Sequence, residues 1–319
     1  MSEQGGTMID TAPPAELTEQ DALRHRLPDH PSAREAMYWV ICLPEERLGI
    51  SVYAYIKPTG EATQVVLGWG PELRTVFLDE IRDVAIEGDD LDDFRVGRLH
   101  MRQPDPLRTW EVRYAGEEIE LDFRFGGIHR AFSYWENPNG SPLAFTSHNR
   151  VEQCGTVEGT LRRNGRTVDF RTTGHHDHSW GMRDWQAMMH YKWIAAQAGD
   201  ELAVHAAQVI WRGRVMVNGY VLRDGLLSPI ADARFDGTYE SDLHPRTVEL
   251  ELRDVAGRVT RARGERFGGT VFPFPGVELT ETGCRFEIEG RSGVGLCEML
   301  WPDGYRAHLE RTWGHLGGR

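Results

Sequence analysis

Apolar and polar residues alternate with a period of two along several stretches of this chain of 319 residues. In the segment 119–125, Ile, Leu and Phe occupy every second position, and charged residues occupy the positions between them. The segments 110–114 and 248–253 show the same alternation. Because the side chains of a β-strand point alternately to opposite faces, the pattern predicts strands with one buried and one solvated face.

Turn signals separate the predicted strands. Asn164-Gly165, Asp224-Gly225 and Ala256-Gly257 are hairpin-type dipeptides between strand patterns. The sequence contains neither a phosphate-binding glycine loop nor a heptad pattern. Many short antiparallel strands favour an all-β protein made of sandwiches or barrels, and argue against a wound α/β fold.

A single simple barrel is too small to use a chain of this length. We therefore expect two barrel-like or sandwich-like antiparallel halves, packed rigidly together because no linker rich in Pro, Ser or Gly separates them. The predicted regions are a disordered tail with a short helix in 1–28, an N-terminal β domain in 29–180 and a C-terminal β domain in 181–319. The predicted helix covers Leu17–Arg26, with Thr18 as its cap.

The charge balance restricts the possible partners. The chain has 36 Lys and Arg residues against 49 Asp and Glu residues, a formal net charge of −13. We expect no nucleic-acid partner, because phosphate binding needs a concentrated cationic patch. No apolar run approaches the roughly 20 residues that cross a bilayer, and the N-terminus lacks a signal-peptide pattern. Four dispersed cysteines predict buried, reduced thiols and a cytoplasmic protein.

The segment Gly174–Trp185 concentrates chemically reactive side chains. Its twelve residues include three histidines, two carboxylates, an arginine and two tryptophans. The segment follows a predicted hairpin, so we expect it to begin as a strand and to turn at Gly181. Strand periodicity places two sets of side chains on opposite faces, namely His175, Asp177 and Ser179 on one and His176, His178 and Trp180 on the other.

Three interpretations of this segment remain open. In the first, it is a buried polar junction in which Asp177 or Asp184 accepts backbone hydrogen bonds and pairs with Arg183. In the second, Asp177 is an acid–base group whose pKa is raised by burial and adjusted by neighbouring imidazoles. We prefer the second interpretation, which requires no cofactor and no metal.

The third interpretation is a metal site. His176 and His178 lie two residues apart, and on a strand such a pair can bind one ion. The third ligand would be His148 or His190. Because the His-x-His pattern is short and common, we do not assign a metal.

Residues 147–161 and the segment 174–185 resemble the AttH-like and carotenoid 1,2-hydratase (hydroxyneurosporene synthase) group. The run Gly-His-His-Asp-His-Ser-Trp-Gly at 174–181 is the most specific part. The resemblance covers 147–185 well and the rest of the chain only as a general β pattern. It implies a lipocalin-like pair of β-barrels around an apolar cavity, and membership of a group in which some proteins hydrate or cyclise isoprenoid-like alkenes.

The resemblance also implies roles for individual residues. By position, Asp177 matches the essential acid of the hydratases, and His148 matches their upstream histidine. Two residues before the acid, this chain has His175 where the hydratases have tyrosine; two residues after the upstream histidine, it has Arg150 where they have tryptophan. A cationic Arg150 near Asp177 would lower the pKa of that acid, the wrong direction for protonating an alkene.

We therefore predict Asp177 as the catalytic acid of a hydratase, isomerase or cyclase, with His148, His175 and His176 tuning it or relaying its proton. The resemblance implies an apolar, terpenoid- or polyketide-like small molecule as the substrate, and indole faces would stabilise the cation formed from it. The predicted substrate-binding residues are Trp180, Trp185, Trp193, Met188, Tyr191 and Arg150. The alternative functions are a non-catalytic carrier of a hydrophobic ligand and, third, a metal-dependent enzyme.

Weaker candidates lie later in the chain. His205 is in an apolar strand pattern, which favours a core histidine. Glu298 and Glu310 follow in the last part of the chain and are possible second carboxylates of a cavity. We expect them on solvated faces instead, where most carboxylates lie.

Overall fold

The computed structural model describes residues 16–138, 148–211, 213–240, 243–274 and 276–313. The predicted all-β fold is confirmed, with two closed antiparallel barrels of ten and eight strands. The predicted tail at 1–15 lies outside the described residues. Within the described part of the chain, no helix is long and apolar enough to span a membrane.

The first sheet has eleven strands. They are β1 (Ala33–Leu43), β2 (Leu48–Ile56), β3 (Glu61–Trp69), β4 (Thr75–Glu87), β5 (Asp93–Val96), β6 (Leu99–Asp105), β7 (Thr109–Ala115), β8 (Ile119–Gly127), β9 (Phe132–Ser133), β10 (Asn149–Arg163) and β11 (Arg166–Met182). The pairing order is β11, β1 to β8, β10 and β9. Ten strands form a closed ring because β10 also pairs with β11, and β9 pairs with the beginning of β10.

The second barrel has eight strands in chain order. They are β12 (His190–Gln197), β13 (Ala203–Trp211), β14 (Arg214–Arg223), β15 (Leu226–Tyr239), β16 (Pro245–Asp254), β17 (Val259–Phe274), β18 (Val277–Ile288) and β19 (Arg291–Pro302). Pairing between β12 and β19 closes the ring. The chain crosses from one barrel to the other through residues 183–189, which include a 3-10 turn at Trp185–Ala187.

The predicted hairpins at 164–165, 224–225 and 256–257 join β10 to β11, β14 to β15 and β16 to β17. Asn164 and Gly165 both have positive φ, 51° and 74°. This combination defines the type I′ turn, whose twist matches that of the flanking strands, and Asn-Gly is the sequence that adopts it most readily.

Two helical elements differ from the sequence prediction. The helix expected over Leu17–Arg26 is a single 3-10 turn at Glu19–Ala22. Thr18 precedes it as predicted, and its backbone N–H and hydroxyl both donate to the Asp21 carboxylate, at 2.8 and 2.9 Å. A short α-helix, α1 (Tyr305–Trp313), follows the last strand and has no counterpart in the prediction. Further 3-10 turns cover Pro71–Leu73 and Tyr134–Glu136.

The two barrels share an apolar core. Strand β1 is buried on both faces: Met37, Trp39 and Ile41 point into the first barrel, and Tyr38 and Val40 point toward the second. The cluster between the barrels draws side chains from both sheets and also contains the cysteines Cys42 and Cys154. All four cysteines of the chain are buried and free, as predicted.

Trp69 marks how closely the barrels approach. Its indole is fully buried, and a Cβ added to Gly283 of the second barrel would lie 2.6 Å from that ring. Only glycine gives the indole this room. The packing of one barrel therefore depends on a side chain of the other.

We expect Trp69→Ala to lower the free energy of unfolding by about 3–5 kcal/mol, because it leaves a cavity in the core between the barrels. Denaturant unfolding followed by circular dichroism measures the change. The control is Leu78→Ala on β4, whose side chain is 47% exposed and whose removal should cost less than about 0.5 kcal/mol. Equal losses in the two variants would contradict the role of Trp69.

Candidate active site

Strand β11 carries the segment singled out in the sequence, and it runs between β1 and β10. In the register of the sheet, Asp177 lies opposite Tyr38 of β1 and Glu152 of β10. The predicted alternation is observed. The side chains of His175 and Asp177 lie on the face of β11 that points toward the second barrel, and the side chain of His176 points into the core of the first barrel. The strand thus places two ionisable side chains at the junction of the barrels.

Asp177 faces a cavity between the two barrels. The cavity volume is about 70 Å³, and a second cavity of about 50 Å³ shares five of its lining residues. Apolar and aromatic side chains supply most of the exposed wall. The ionisable lining groups are Tyr38, Tyr53, Arg150, Asp177, Arg183, Glu281 and Glu298.

Arg150 connects two buried carboxylates. Its Nη2 donates to Asp177 Oδ2 at 2.7 Å, and its Nε lies 2.7 Å from Glu152 Oε1 in an ion pair. Asp177 and Glu152 are 3% and 0% exposed. One guanidinium therefore serves two carboxylates that water does not solvate.

The net effect on Asp177 is opposite to the one expected from Arg150 alone. Burial raises the pKa of Asp177 above its ordinary value, and the nearby charge of Glu152 raises it further. Arg150 and Arg183 lower this pKa, but they do not reverse the direction. Arg150 is shared with Glu152, so only part of its charge compensates Asp177.

Glu152 is the centre of a hydrogen-bond network that the sequence prediction did not identify. His175 Nε2 lies 2.6 Å from Glu152 Oε2, and Trp193 Nε1 donates to Oε1 at 3.2 Å. Burial alone would raise the pKa of Glu152, but His205, Arg150 and His175 outweigh burial and hold this pKa well below its usual range. Glu152 is therefore the ionised member of the pair that Arg150 joins.

His175 reaches the cavity only through Glu152. Its Nδ1 lies 3.4 Å from the Sγ of Cys154, and its ring lines a separate void of about 10 Å³. Burial lowers the pKa of His175, but Cys154 and Glu152 outweigh it and raise this pKa to about 9. Burial raises the pKa of the Cys154 thiol, yet His175 and His129 bring it to about 6. His175 is thus in a position to tune Asp177 through Glu152 and Arg150.

His205 is the core histidine that its strand pattern indicated. It is fully buried, and burial lowers its pKa to about 3, so its ring is neutral. Its Nε2 lies 2.9 Å from the Tyr134 hydroxyl, and its Nδ1 lies 3.2 Å from the Ile194 carbonyl oxygen.

Two predicted catalytic histidines lie away from the cavity. The His176 ring stacks on Trp39 at 4.6 Å, and its Nδ1 lies 2.9 Å from the Tyr38 carbonyl oxygen, inside the first barrel. Burial lowers the pKa of His176 to about 3, which keeps the ring neutral. His148 is exposed, and its backbone N–H donates to the Trp180 carbonyl.

Five of the six predicted binding residues, Arg150 among them, line the cavity pair. Trp185 and Trp193 face both cavities, and Met188 and Tyr191 face the smaller one. Trp180 does not: its indole lies on the opposite face of β11 and stacks on His25 at 3.6 Å. Strand alternation alone accounts for this difference, because Trp180 is an odd number of residues from Asp177.

The junction interpretation is only partly matched. Asp184 is exposed, and Asp177 pairs with Arg150 and not with Arg183. Arg183 is buried nearby: it donates to the Tyr53 hydroxyl at 3.3 Å and to the Ser179 hydroxyl, and its guanidinium lies 5.3 Å from the Trp185 ring centroid.

Glu298 lines the cavity, which corrects the expectation of a solvated strand face. Its partner across the sheet is Glu281, 4% exposed, which the sequence prediction missed. The signal was available for Glu298, which stands between Leu296 and Leu300 on the apolar face of its strand. The side chain of Glu310 lies outside the described residues.

Within the described ranges, two side-chain groups bring three ligand-type atoms within 4.8 Å of one another: Glu152 with His175 and His205, and Glu35 with His25 and His178. Neither group matches the predicted metal set. His178 turns to Glu35, at 2.9 Å, and His176 turns to Tyr38. His190 lies on β12, with its Nδ1 2.6 Å from the Leu300 carbonyl oxygen.

A comparison with known protein families assigns the chain to one of them. The family described as a domain of unknown function, DUF7064, matches residues 18–303. The chain belongs to this family. No curated protein shows significant sequence similarity to it.

Solved structures extend the comparison beyond DUF7064. A putative AttH from Nitrosomonas europaea superimposes with a TM-score of 0.64 at 14% identity, over 91% of this chain and 98% of its own. Kievitone hydratase from Nectria haematococca gives 0.63 at 10% identity, over 89% and 93%. CghA gives 0.57 at 12% identity, over 86% and 90%. The DUF7064 chain therefore has the tandem-barrel fold of these proteins, and the resemblance to the AttH-like group is confirmed.

The Glu35 cluster predicts acid sensitivity in the DUF7064 chain. Burial would raise the pKa of Glu35, but hydrogen bonds from His178 and His25 lower it to about 2, from 4.5. The lowered pKa contributes about 3 kcal/mol of stability above pH 4.5, and this contribution is lost as the pH falls from about 4.5 to about 2.

We expect Glu35→Gln to reduce the free energy of unfolding at pH 6 by about 3 kcal/mol, with the difference from wild type narrowing below pH 4.5. Urea unfolding across this pH range gives the measurement. Glu45→Gln is the control, because the Glu45 side chain is 90% exposed. A difference independent of pH would show that Glu35 does not titrate in this way.

Proposed function

We propose that this protein is a cofactor-independent hydratase, isomerase or cyclase that acts on an apolar terpenoid- or polyketide-like small molecule in the cavity between its barrels. The observation that carries the proposal is Asp177, a buried carboxyl with a raised pKa that faces this cavity. A general acid works best when its pKa is shifted toward the pH of the reaction. Burial provides that shift here.

Protonation of an isolated alkene requires more than an acid. The cation that forms must be stabilised in a site from which bulk water is excluded. Trp185 and Trp193 present indole rings to the cavity, and cation–π attraction to a desolvated indole contributes about 1–2 kcal/mol. The Glu152 carboxylate, paired with Arg150, keeps the surroundings of Asp177 close to neutral.

The reaction balances without a cofactor. Asp177 gives its proton to one alkene carbon, and the neighbouring carbon becomes cationic. In a hydratase, water adds to this carbon and releases a proton, which restores the acid. In a cyclase or isomerase, a second alkene adds or a neighbouring C–H proton leaves, with no net change in composition.

The cavity volume favours a compact ligand. The volume of about 70 Å³, with a neighbouring cavity of about 50 Å³, is well below the roughly 300–1,000 Å³ of pockets that hold drug-sized ligands, so a small ring system is favoured over an extended polyene. The first compounds to test are therefore small terpenoid and polyketide alkenes. Kievitone is added because one structural relative is named kievitone hydratase.

We expect Asp177→Asn to lower turnover at least 100-fold while the thermal midpoint and ligand affinity stay close to wild type, because the amide keeps the shape but cannot donate the acidic proton. The matched control is Asp169→Asn, which changes an exposed aspartate on the same strand. Products are identified by mass spectrometry as the mass of one added water or as an isomer of unchanged mass.

Two outcomes would overturn the proposal. An Asp177→Asn variant that retains full turnover would remove Asp177 from the acid role. If the small molecule that co-purifies with the wild-type protein binds tightly and is recovered chemically unchanged, and no compound of the panel is converted, the protein is a carrier. The polar network around Arg150 would then be a structural junction.

A further inference from the structure

The wall of the cavity contributed by the second barrel carries a pair of carboxyl groups. Glu281 on β18 and Glu298 on β19 occupy directly opposed positions of an antiparallel strand pair. Both line the cavity that Asp177 enters from the first barrel. The side chains of such a cross-strand pair are close enough to interact.

Hydrogen bonding gives the two carboxyls different roles. Glu298 accepts hydrogen bonds from the Tyr191 hydroxyl and from Glu281. Burial raises the pKa of both, and the charge of Glu298 raises that of Glu281 further, well above its usual range. The Tyr38 hydroxyl opposes the rise in the pKa of Glu281. Arg150 lowers the pKa of Glu298, and Asp177 raises the pKa of Glu298. The pair therefore shares one proton, which resides on Glu281.

One oxygen of this pair is unused. Glu281 Oε2 is buried and has no hydrogen-bond partner among the described residues. A buried polar atom without a partner is costly, and such atoms are rare in folded proteins. Glu281 lines the cavity, and a carboxyl that donates its proton to Glu298 still has a carbonyl oxygen that can accept a hydrogen bond. The atom that completes this arrangement is a hydroxyl hydrogen supplied by a ligand.

We propose that Glu281 and Glu298 form the proton-accepting centre of the site, and that the substrate or the attacking water presents an O–H group to Glu281 Oε2. This assignment rests on the function proposed above. It selects an alkene that either carries a hydroxyl group or reacts with water held by Glu281. The two barrels then supply complementary groups: a proton donor from the first and a proton acceptor from the second.

The proton transfers balance. As the oxygen of the O–H group bonds to the cationic carbon, its proton moves to Glu281 Oε2. The proton that Glu281 already holds moves to the Glu298 carboxylate. Glu298 is then neutral and Asp177 is ionised, and the cycle ends when one proton returns from the pair to Asp177.

Infrared spectroscopy tests the shared proton without any substrate. At pH 7 we expect wild-type protein to show the C=O stretches of two buried protonated carboxyl groups, Asp177 and Glu281, and Glu281→Gln to lose one of them. In that variant Glu298 stays ionised, because it keeps the hydrogen bond from the Tyr191 hydroxyl and its neighbour is a neutral amide. Asp177→Asn serves as a comparison, because it should retain the band that belongs to Glu281.

Ligand binding tests the free acceptor. The probes are 2-naphthol and 2-fluoronaphthalene, which have nearly the same size and differ in whether the substituent can donate a hydrogen bond. We expect wild type and Glu281→Gln to bind the naphthol about tenfold more tightly, because both retain a C=O acceptor, and Glu281→Leu to bind the two probes equally. Isothermal titration calorimetry gives the affinities.

The assignment is overturned if Asp177→Asn shows no protonated-carboxyl band, or if Glu281→Gln retains every such band of wild type. It is also overturned if wild type shows no preference for the naphthol, whether through equal binding or through no binding. Neither measurement depends on turnover. A negative result in these two measurements therefore does not change the role proposed for Asp177. Conversely, a result that removes Asp177 from the acid role does not change the assignment of the carboxyl pair.

Discussion

The arrangement of the site depends on one guanidinium shared by two buried carboxylates. Arg150 lies within 2.7 Å of both Glu152 and Asp177, and neither acid is solvated by water. A single positive charge compensates one carboxylate well and a second one only in part. Glu152 takes the larger share through its further hydrogen bonds from His175 and Trp193, and Asp177 remains the carboxyl that is easier to protonate.

This electrostatic arrangement requires three adjacent strands in a fixed register. Asp177 and Glu152 face each other across β10 and β11, and Tyr38 flanks Asp177 on β1. A shift of one residue in β11 would exchange its two faces, placing His176 at the junction and Asp177 inside the first barrel. The stack of His176 on Trp39 opposes such a shift, so His176 acts in positioning the strand.

The sequence was sufficient for the fold class, the hairpins and the faces of β11, because each follows from local periodicity or from turn residues such as Asn164 and Gly165. It was not sufficient for Glu152, whose importance comes from three partners on other strands. His148 was assigned by its position in a motif, which does not specify whether a side chain meets the cavity. Trp180 was assigned by its nearness to Asp177 in the sequence, although the predicted alternation already placed it on the opposite face of β11. Glu281 is far from Asp177 in the chain, and only closure of the second barrel brings the two to one cavity.

The double burial of β1 has a consequence for how this fold can change. From Met37 to Leu43 each side chain belongs to one of two cores, and the two sets alternate residue by residue. A substitution that adapts the cavity to a new ligand is therefore flanked by residues that hold the first barrel closed. Variation in ligand preference should accordingly accumulate at positions such as Phe272 and Phe274 at the end of β17, because Pro273 between them is exposed and belongs to no second core.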